Sequence, residues 1–130
     1  MRVTAWRGKP IWLMRRSEEM VRALMRPDPV LVDPLSKKSE QPSNCANPTR
    51  SMRPDIFVAI GLCTHLGCIP ILHFDNADLN AELHAPGGFI CPCHGSRFDL
   101  AGRVVKNMPA PTNLEIPDYR FTSATNLVIG

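Results

Sequence analysis

The sequence predicts an all-β domain with one short helix. Three observations predict it. Thirteen prolines recur from position 10 to position 117. Proline lacks an N–H and clashes with the preceding turn, so such spacing leaves little room for long helices. The apolar runs are short and bounded by turn-forming residues. Only one segment pairs a helix start with helical spacing.

The elements follow in order. Residues 3–6 read as a strand and 11–14 as a second, joined by a turn at Gly8-Lys9-Pro10. Ser17 reads as an N-cap, with Glu18 and Glu19 in the first turn, where carboxylates favour the positive helix end. Met20, Val21, Leu24 and Met25 follow at helical spacing, and the helix is expected to stop before Pro27. These methionines read as core packing. Residues 27–54 are polar and proline-rich, and read as a long loop that wraps the domain. Residues 56–60 are continuously apolar, as in a strand buried on both faces. Further strands are expected at 70–74, 88–90, 96–99, 103–106, 119–122 and 127–129. Asp99-Leu100-Ala101-Gly102 reads as a hairpin turn.

The length of 130 residues suits one domain. A net charge of +3 without a dense basic block argues against a nucleic-acid surface. The longest apolar run, 56–63, is interrupted by Gly61 and falls short of the roughly 18 residues that span a bilayer. Four of the five cysteines, Cys63, Cys68, Cys91 and Cys93, fall into two tight groups beside histidines. Disulfide scaffolds scatter their cysteines, so this clustering points to a metal site.

The two groups are Cys63-Thr64-His65-Leu66-Gly67-Cys68 and Cys91-Pro92-Cys93-His94-Gly95-Ser96. Each offers one thiolate and one imidazole at loop spacing, and each carries an extra cysteine. Zinc would take Cys63, His65, Cys91 and His94 on one tetrahedral ion, although zinc fingers rarely alternate Cys and His within each box. A [2Fe–2S] cluster would take two thiolates on one iron and two imidazoles on the other.

CTHLGC followed by CPCHGS resembles the Rieske iron–sulfur proteins of cytochrome bc1 complexes. The likeness extends to Trp6-Arg7-Gly8-Lys9-Pro10, to the Asp99–Arg103 turn, and to Pro109-Ala110-Pro111 with Asn113-Leu114. It implies a Rieske fold of stacked antiparallel sheets. A base of 1–60 and 113–130 would carry a small cluster-binding subdomain at about 61–112. Cys63 and Cys91 would hold the inner iron of one [2Fe–2S] cluster, and His65 and His94 the outer, solvent-near iron. Two free thiols beside a cluster would compete as ligands; the resemblance implies that Cys68 and Cys93 are instead joined as a disulfide. Ser96 would hydrogen-bond a cluster sulfur, Leu66 would shield the tip, and 109–111 would cover the cluster.

The resemblance also implies a role in a respiratory membrane enzyme. An electron, coupled to a proton, would pass from ubiquinol at cytochrome b to cytochrome c1, with His94 contacting the quinol. The chain would supply one redox centre and would not be catalytic alone. The native domain is expected on the periplasmic side of a bacterial inner membrane, held by an N-terminal anchor absent from this chain, which would be a soluble fragment. A soluble Rieske ferredoxin serving an oxygenase shares the ligand pattern but lacks the extra cysteine pair.

The charges suit proton coupling. Two thiolates and two neutral imidazoles on an oxidised 2+ core sum to zero. Reduction adds a negative charge, which raises imidazole pKa values. Imidazole ligation places such potentials at roughly −150 to +300 mV, against about −400 mV for all-thiolate clusters. Two positions depart from the family. Phe98 stands where relatives commonly have a Tyr that hydrogen-bonds a ligand sulfur, which predicts a lower potential. Met108 stands where many have Gly. His73, His84, Trp6 and Trp12 read as ordinary structural residues. Cys45 reads as an unpaired thiol, and Arg15, Arg16, Lys37 and Lys38 as solvated charges.

Overall fold

The first hairpin turns on two residues. Arg7 and Gly8 have φ values of 53° and 75°, the left-handed pair that a two-residue turn needs to match strand twist. The turn therefore sits one step before the expected Gly8-Lys9-Pro10, and Lys9 and Pro10 begin the next strand. The computed structural model describes residues 1–26 and 29–130. The expected helix stop at Pro27 lies outside the described residues.

β1 (Arg2–Trp6) pairs antiparallel with β2 (Lys9–Arg15), and β2 with β3 (Ile56–Ile60). A second sheet holds β4 (Ile71–His73), β5 (Gly88–Ile90) and β6 (Arg97–Phe98), in that order. A hairpin of β7 (Tyr119–Phe121) and β8 (Leu127–Ile129) completes the strands. All strand pairings among the described residues are antiparallel, as the resemblance implies.

One core joins the two larger sheets. Trp12 of β2 stacks on Phe89 of β5 with ring centroids 4.7 Å apart, and Phe57 of β3 lies 6.5 Å from the same ring. Trp12, Phe57, Phe89, Phe98 and Leu100 are fully buried. Burial of each such side chain stabilises the fold by about 1.5–3 kcal/mol. Gly61 follows β3, and a Cβ there would meet Trp12 Nε1 at 2.2 Å. Only glycine lets the chain pass this ring on its way into the first box.

α1 (Glu18–Leu24) starts at Ser17, whose hydroxyl accepts from the Met20 N–H at 3.3 Å. A second helix, α2 (Ala77–Leu83), adds to the single helix expected. Asn76 caps it and accepts from the Leu79 N–H at 3.0 Å. Leu79 and Leu83 bury its one apolar face. Two apolar residues in under two turns form too short a pattern to read as a period. His84 ends this helix in the left-handed conformation, with φ 50°.

Residues 103–106 differ from the strand expected there. They make only isolated bridges, Val104 to Phe98 and Val105 to Leu31. The Val104 N–H goes to Asn113 Oδ1 at 2.9 Å, so a side chain takes the place of a ladder bond. The hairpin turn before them is present: Gly102 has φ 70° and its N–H donates to the Asp99 carbonyl at 2.9 Å.

The described part of the long loop wraps the core as expected, and buried arginines hold it. Arg16 is a correction to the solvated charge expected. It is 3% exposed. Its guanidinium donates to the carbonyls of Pro54, Thr49 and Leu100 at 2.9–3.0 Å and to Ser51 Oγ at 2.8 Å. A loop packed on the core leaves carbonyls without ladder partners, and one guanidinium has five N–H groups to offer. Arg50, also fully buried, donates to the Ala101 carbonyl and Gln41 Oε1. Burial lowers both guanidinium pKa values to about 10, which leaves them charged at neutral pH. Arg15, Lys37 and Lys38 are exposed, as expected.

Candidate metal centre

Both boxes fold into the same closed loop. In the first, the Cys63 N–H donates to the Cys68 carbonyl at 2.7 Å and the Gly67 N–H to the Cys63 carbonyl at 2.9 Å. In the second, the Cys91 N–H donates to the Ser96 carbonyl at 2.8 Å and the Gly95 N–H to the Cys91 carbonyl at 2.9 Å. The fifth residue of each loop is a glycine, with φ 82° at Gly67 and 81° at Gly95. A Cβ at either glycine would meet nothing within 4 Å. These glycines are therefore required by the backbone conformation and not by space.

The loops sort their side chains by depth. Cys63 and Cys91 are 4% and 2% exposed and form no disulfide. His65 is half-buried and His94 exposed. The two imidazoles meet edge to face, with centroids 4.8 Å apart. Burial is the main cause that pushes the Cys63 thiol above its ordinary range. The His65 N–H and the Ser96 hydroxyl act against it, and the adjoining Cys91 thiol adds to it.

Cys68 and Cys93 form a disulfide between the two loops, with Cα atoms 6.5 Å apart. Their sulfurs and that of Cys91 all lie within 4.8 Å of one another. That proximity alone would suggest three sulfur ligands, but the disulfide removes two of them. The sulfur and nitrogen donors left in the boxes are two buried thiols and two outward imidazoles. One tetrahedral ion needs four ligands at about 2.0–2.3 Å around a single point. Donors segregated by depth fit two metals better, with thiolates inside and imidazoles outside.

A third segment laces the loops together. The Ala110 N–H donates to Ser96 Oγ at 3.0 Å, and the Thr64 hydroxyl to the Thr112 carbonyl at 2.7 Å. Ser96 accepts with its oxygen, which leaves its proton free for the Cys63 sulfur. Leu66 at the tip of the first loop is 70% exposed. Of the segment 109–111, expected to cover the site, Ala110 thus touches the second loop; Thr64 had no expected role, since a threonine reaching a carbonyl 48 residues away leaves no local signal.

Phe98 is fully buried, opposite Phe89 in the second sheet. Cys45 is a buried free thiol, 3.7 Å from the Tyr119 hydroxyl. His73 sits in β4, opposite Gly88. Arg97, which follows Ser96, makes a two-pronged ion pair with Glu82 of α2 at 2.6 and 2.9 Å.

The Rieske [2Fe-2S] domain model matches residues 45–120. The chain is 56% identical over 127 residues to the ubiquinol-cytochrome c reductase iron-sulfur subunit of Allochromatium vinosum, covering 96% of this chain and 60% of that protein. It is 40% identical to the protein of the same name from Bradyrhizobium diazoefficiens, covering 96% and 61%. It is 37% identical to the mitochondrial Rieske subunit of the cytochrome b-c1 complex of Candida albicans, covering 98% and 51%. The chain thus spans about half to three fifths of the length of these curated relatives. Among solved structures, a hyperthermophilic respiratory complex III matches with a TM-score of 0.55 and 25% identity, covering 98% of this chain and 63% of that one. A cyanobacterial plasma membrane Rieske protein from Synechocystis matches in fold, with a TM-score of 0.51, 18% identity, and coverage of 98% and 83%.

Proposed function

The chain belongs to the Rieske [2Fe–2S] family, and on that premise we propose that it is the electron-transfer subunit of a quinol–cytochrome c oxidoreductase. The observation that supports this most is the pair of closed loops, with thiols buried, imidazoles outward and a disulfide between them. Cys63 and Cys91 would hold the inner iron, and His65 and His94 the outer. When bound, a [2Fe–2S] cluster supplies a one-electron carrier at an elevated potential. Residues 61–112 would form the cluster-binding part, on a base of 1–60 and 113–130.

The chain's own residues would do the rest. His94 is the exposed donor, so its ring would meet the ubiquinol hydroxyl and hold its proton. His65 would keep that ring turned outward through the edge contact. Leu66 would keep water from the tip. Ser96, held by the Ala110 N–H, would aim its proton at sulfur and favour the more negative, reduced state. Cytochrome b would complete the quinol pocket, and cytochrome c1 would accept the electron. The domain would work on the periplasmic side of a bacterial inner membrane. Among the described residues no helix is long and apolar enough to cross a membrane.

Metal and sulfide analysis with EPR tests the centre. Iron and acid-labile sulfide in equal amounts and a Rieske-type signal after reduction are expected. One zinc without sulfide would refute it. Restoring ubiquinol-dependent cytochrome c1 reduction to a bc1 preparation stripped of its own iron–sulfur subunit tests the pathway. Failure of a fully loaded chain in that assay would favour the ferredoxin reading.

A further inference from the structure

The wrapping loop and the segment that laces the two boxes meet at one buried side chain. Asn113 is 1% exposed. Its amide oxygen accepts from the Val104 N–H at 2.9 Å. Its amide nitrogen donates to the Asp33 carbonyl at 2.9 Å and to Ser36 Oγ at 3.1 Å. Its backbone N–H donates to Ser39 Oγ at 3.1 Å. One residue thus ties the lacing segment to a loop 74 to 80 residues earlier in the chain.

That loop is fixed in shape before it meets Asn113. The Asp33 carboxylate accepts from the N–H groups of Lys37 and Lys38 at 2.8 Å each and from the Ser39 hydroxyl at 3.0 Å. The Asp33 carbonyl also accepts from the Ser36 N–H at 3.0 Å. The consequence falls on the residues just before Asn113. The Ala110 N–H donates to Ser96 Oγ, and the Thr112 carbonyl accepts from Thr64. Pro109 and Pro111 fix φ on either side of Ala110, so a segment pinned at Asn113 has little freedom three residues back. A hydroxyl rotates to suit its partners. With its oxygen engaged by Ala110, the Ser96 hydroxyl hydrogen-bonds the Cys63 sulfur.

We propose that Asn113 is a positioning residue for the redox centre: by pinning the lacing segment to the 33–39 turn, it holds the Ala110 N–H against Ser96 and so keeps the Ser96 proton aimed at sulfur. A donor fixed in advance favours the more negative, reduced state without rearranging when the electron arrives. This role rests on the reading of Ser96 as a donor to the cluster's sulfur ligands. It adds a residue outside both boxes, acting through a chain of hydrogen bonds that begins in the wrapping loop. A merely structural Asn113 would lower the unfolding midpoint and leave the potential of the folded chain where it was.

The test is a redox titration of chains carrying a full complement of iron and sulfide. Asn113→Leu keeps a buried side chain of similar size and removes the amide. It should hold the electron about threefold less tightly, a fall of about 28 mV at about 59 mV per tenfold. Ser96→Ala with Asn113→Leu should titrate no lower than Ser96→Ala alone, since one residue acts through the other. Hydrogen exchange across residues 108–114, followed by mass spectrometry in the loaded and the metal-free chain, should quicken about tenfold at the Ala110 amide in Asn113→Leu. An unmoved potential in folded, loaded Asn113→Leu, or an additive fall in the double variant, would overturn the proposal. Where Asn113→Leu does not fold, Ser39→Ala decides: it removes the acceptor of the Asn113 N–H and leaves the amide in place. A smaller fall in potential is then expected, and no fall refutes the role. A chain that takes up no cluster would sink the electron-transfer reading instead. Exchange in the metal-free protein would still decide whether Asn113 holds Ala110, and an unchanged rate would refute it.

Discussion

Replacing both disulfide cysteines, Cys68→Ser with Cys93→Ser, should lower stability by about 3.5 kcal/mol. The figure follows from the separation of 25 residues between the two cysteines. Removing the cross-link restores loop entropy to the unfolded chain, about 12 cal/mol/K for a loop of this size. The native state should change little, because each loop is closed by its own backbone hydrogen bonds. The loss would thus arise in the unfolded state. Equilibrium urea unfolding of the metal-free proteins, followed by the buried Trp12, would measure it without metal release. With a slope of about 1.5 kcal/mol/M, the midpoint should fall by about 2 M. A fall under about 0.5 M would refute the entropic reasoning. A stability loss accompanied by altered native fluorescence would show that the bond shapes the folded loops instead.

Gly61→Ala should destabilise by about 1–3 kcal/mol, since the new Cβ would lie 2.2 Å from Trp12 Nε1 and that ring is held against Phe89; an unchanged thermal midpoint would disprove the clash. Phe98→Tyr should raise the cluster's potential in a redox titration, by adding a hydroxyl in the second sheet, and an unmoved potential would remove Phe98 as a tuning residue. The Glu115 carboxyl is held above its ordinary range, first by its hydrogen bond to Glu40 and then by burial. A carboxyl raised on folding contributes stability at low pH that is lost as pH rises from about 4.5 through the folded value. Glu40→Gln should therefore shrink the difference in thermal midpoint between pH 4 and pH 7; an undiminished difference would rule out this pair as its source.

The candidate site was legible because its information is local. Residue type and spacing within six positions mark the candidate donors and the glycine each loop needs. The strands were legible where turns bounded them, and misplaced where a side chain replaced a ladder bond, as Asn113 does at Val104. The second helix was missed because Asn76 caps a segment with only two buried apolar residues.

The chain's own residues, read without any structure, pointed to the family, the candidate donors and the all-β class. These depend on chemistry carried by neighbours in sequence. Tertiary structure alone decided the fate of Arg15 and Arg16, identical and adjacent. Arg15 ends β2 beside Ile56 and faces outward; Arg16 turns in to carbonyls 33, 38 and 84 residues away. Tertiary structure also decided the depth of the four candidate donors, with sulfur inside and imidazole outside. Burial is set by what the rest of the chain packs against a residue, and no residue carries that in its own neighbourhood.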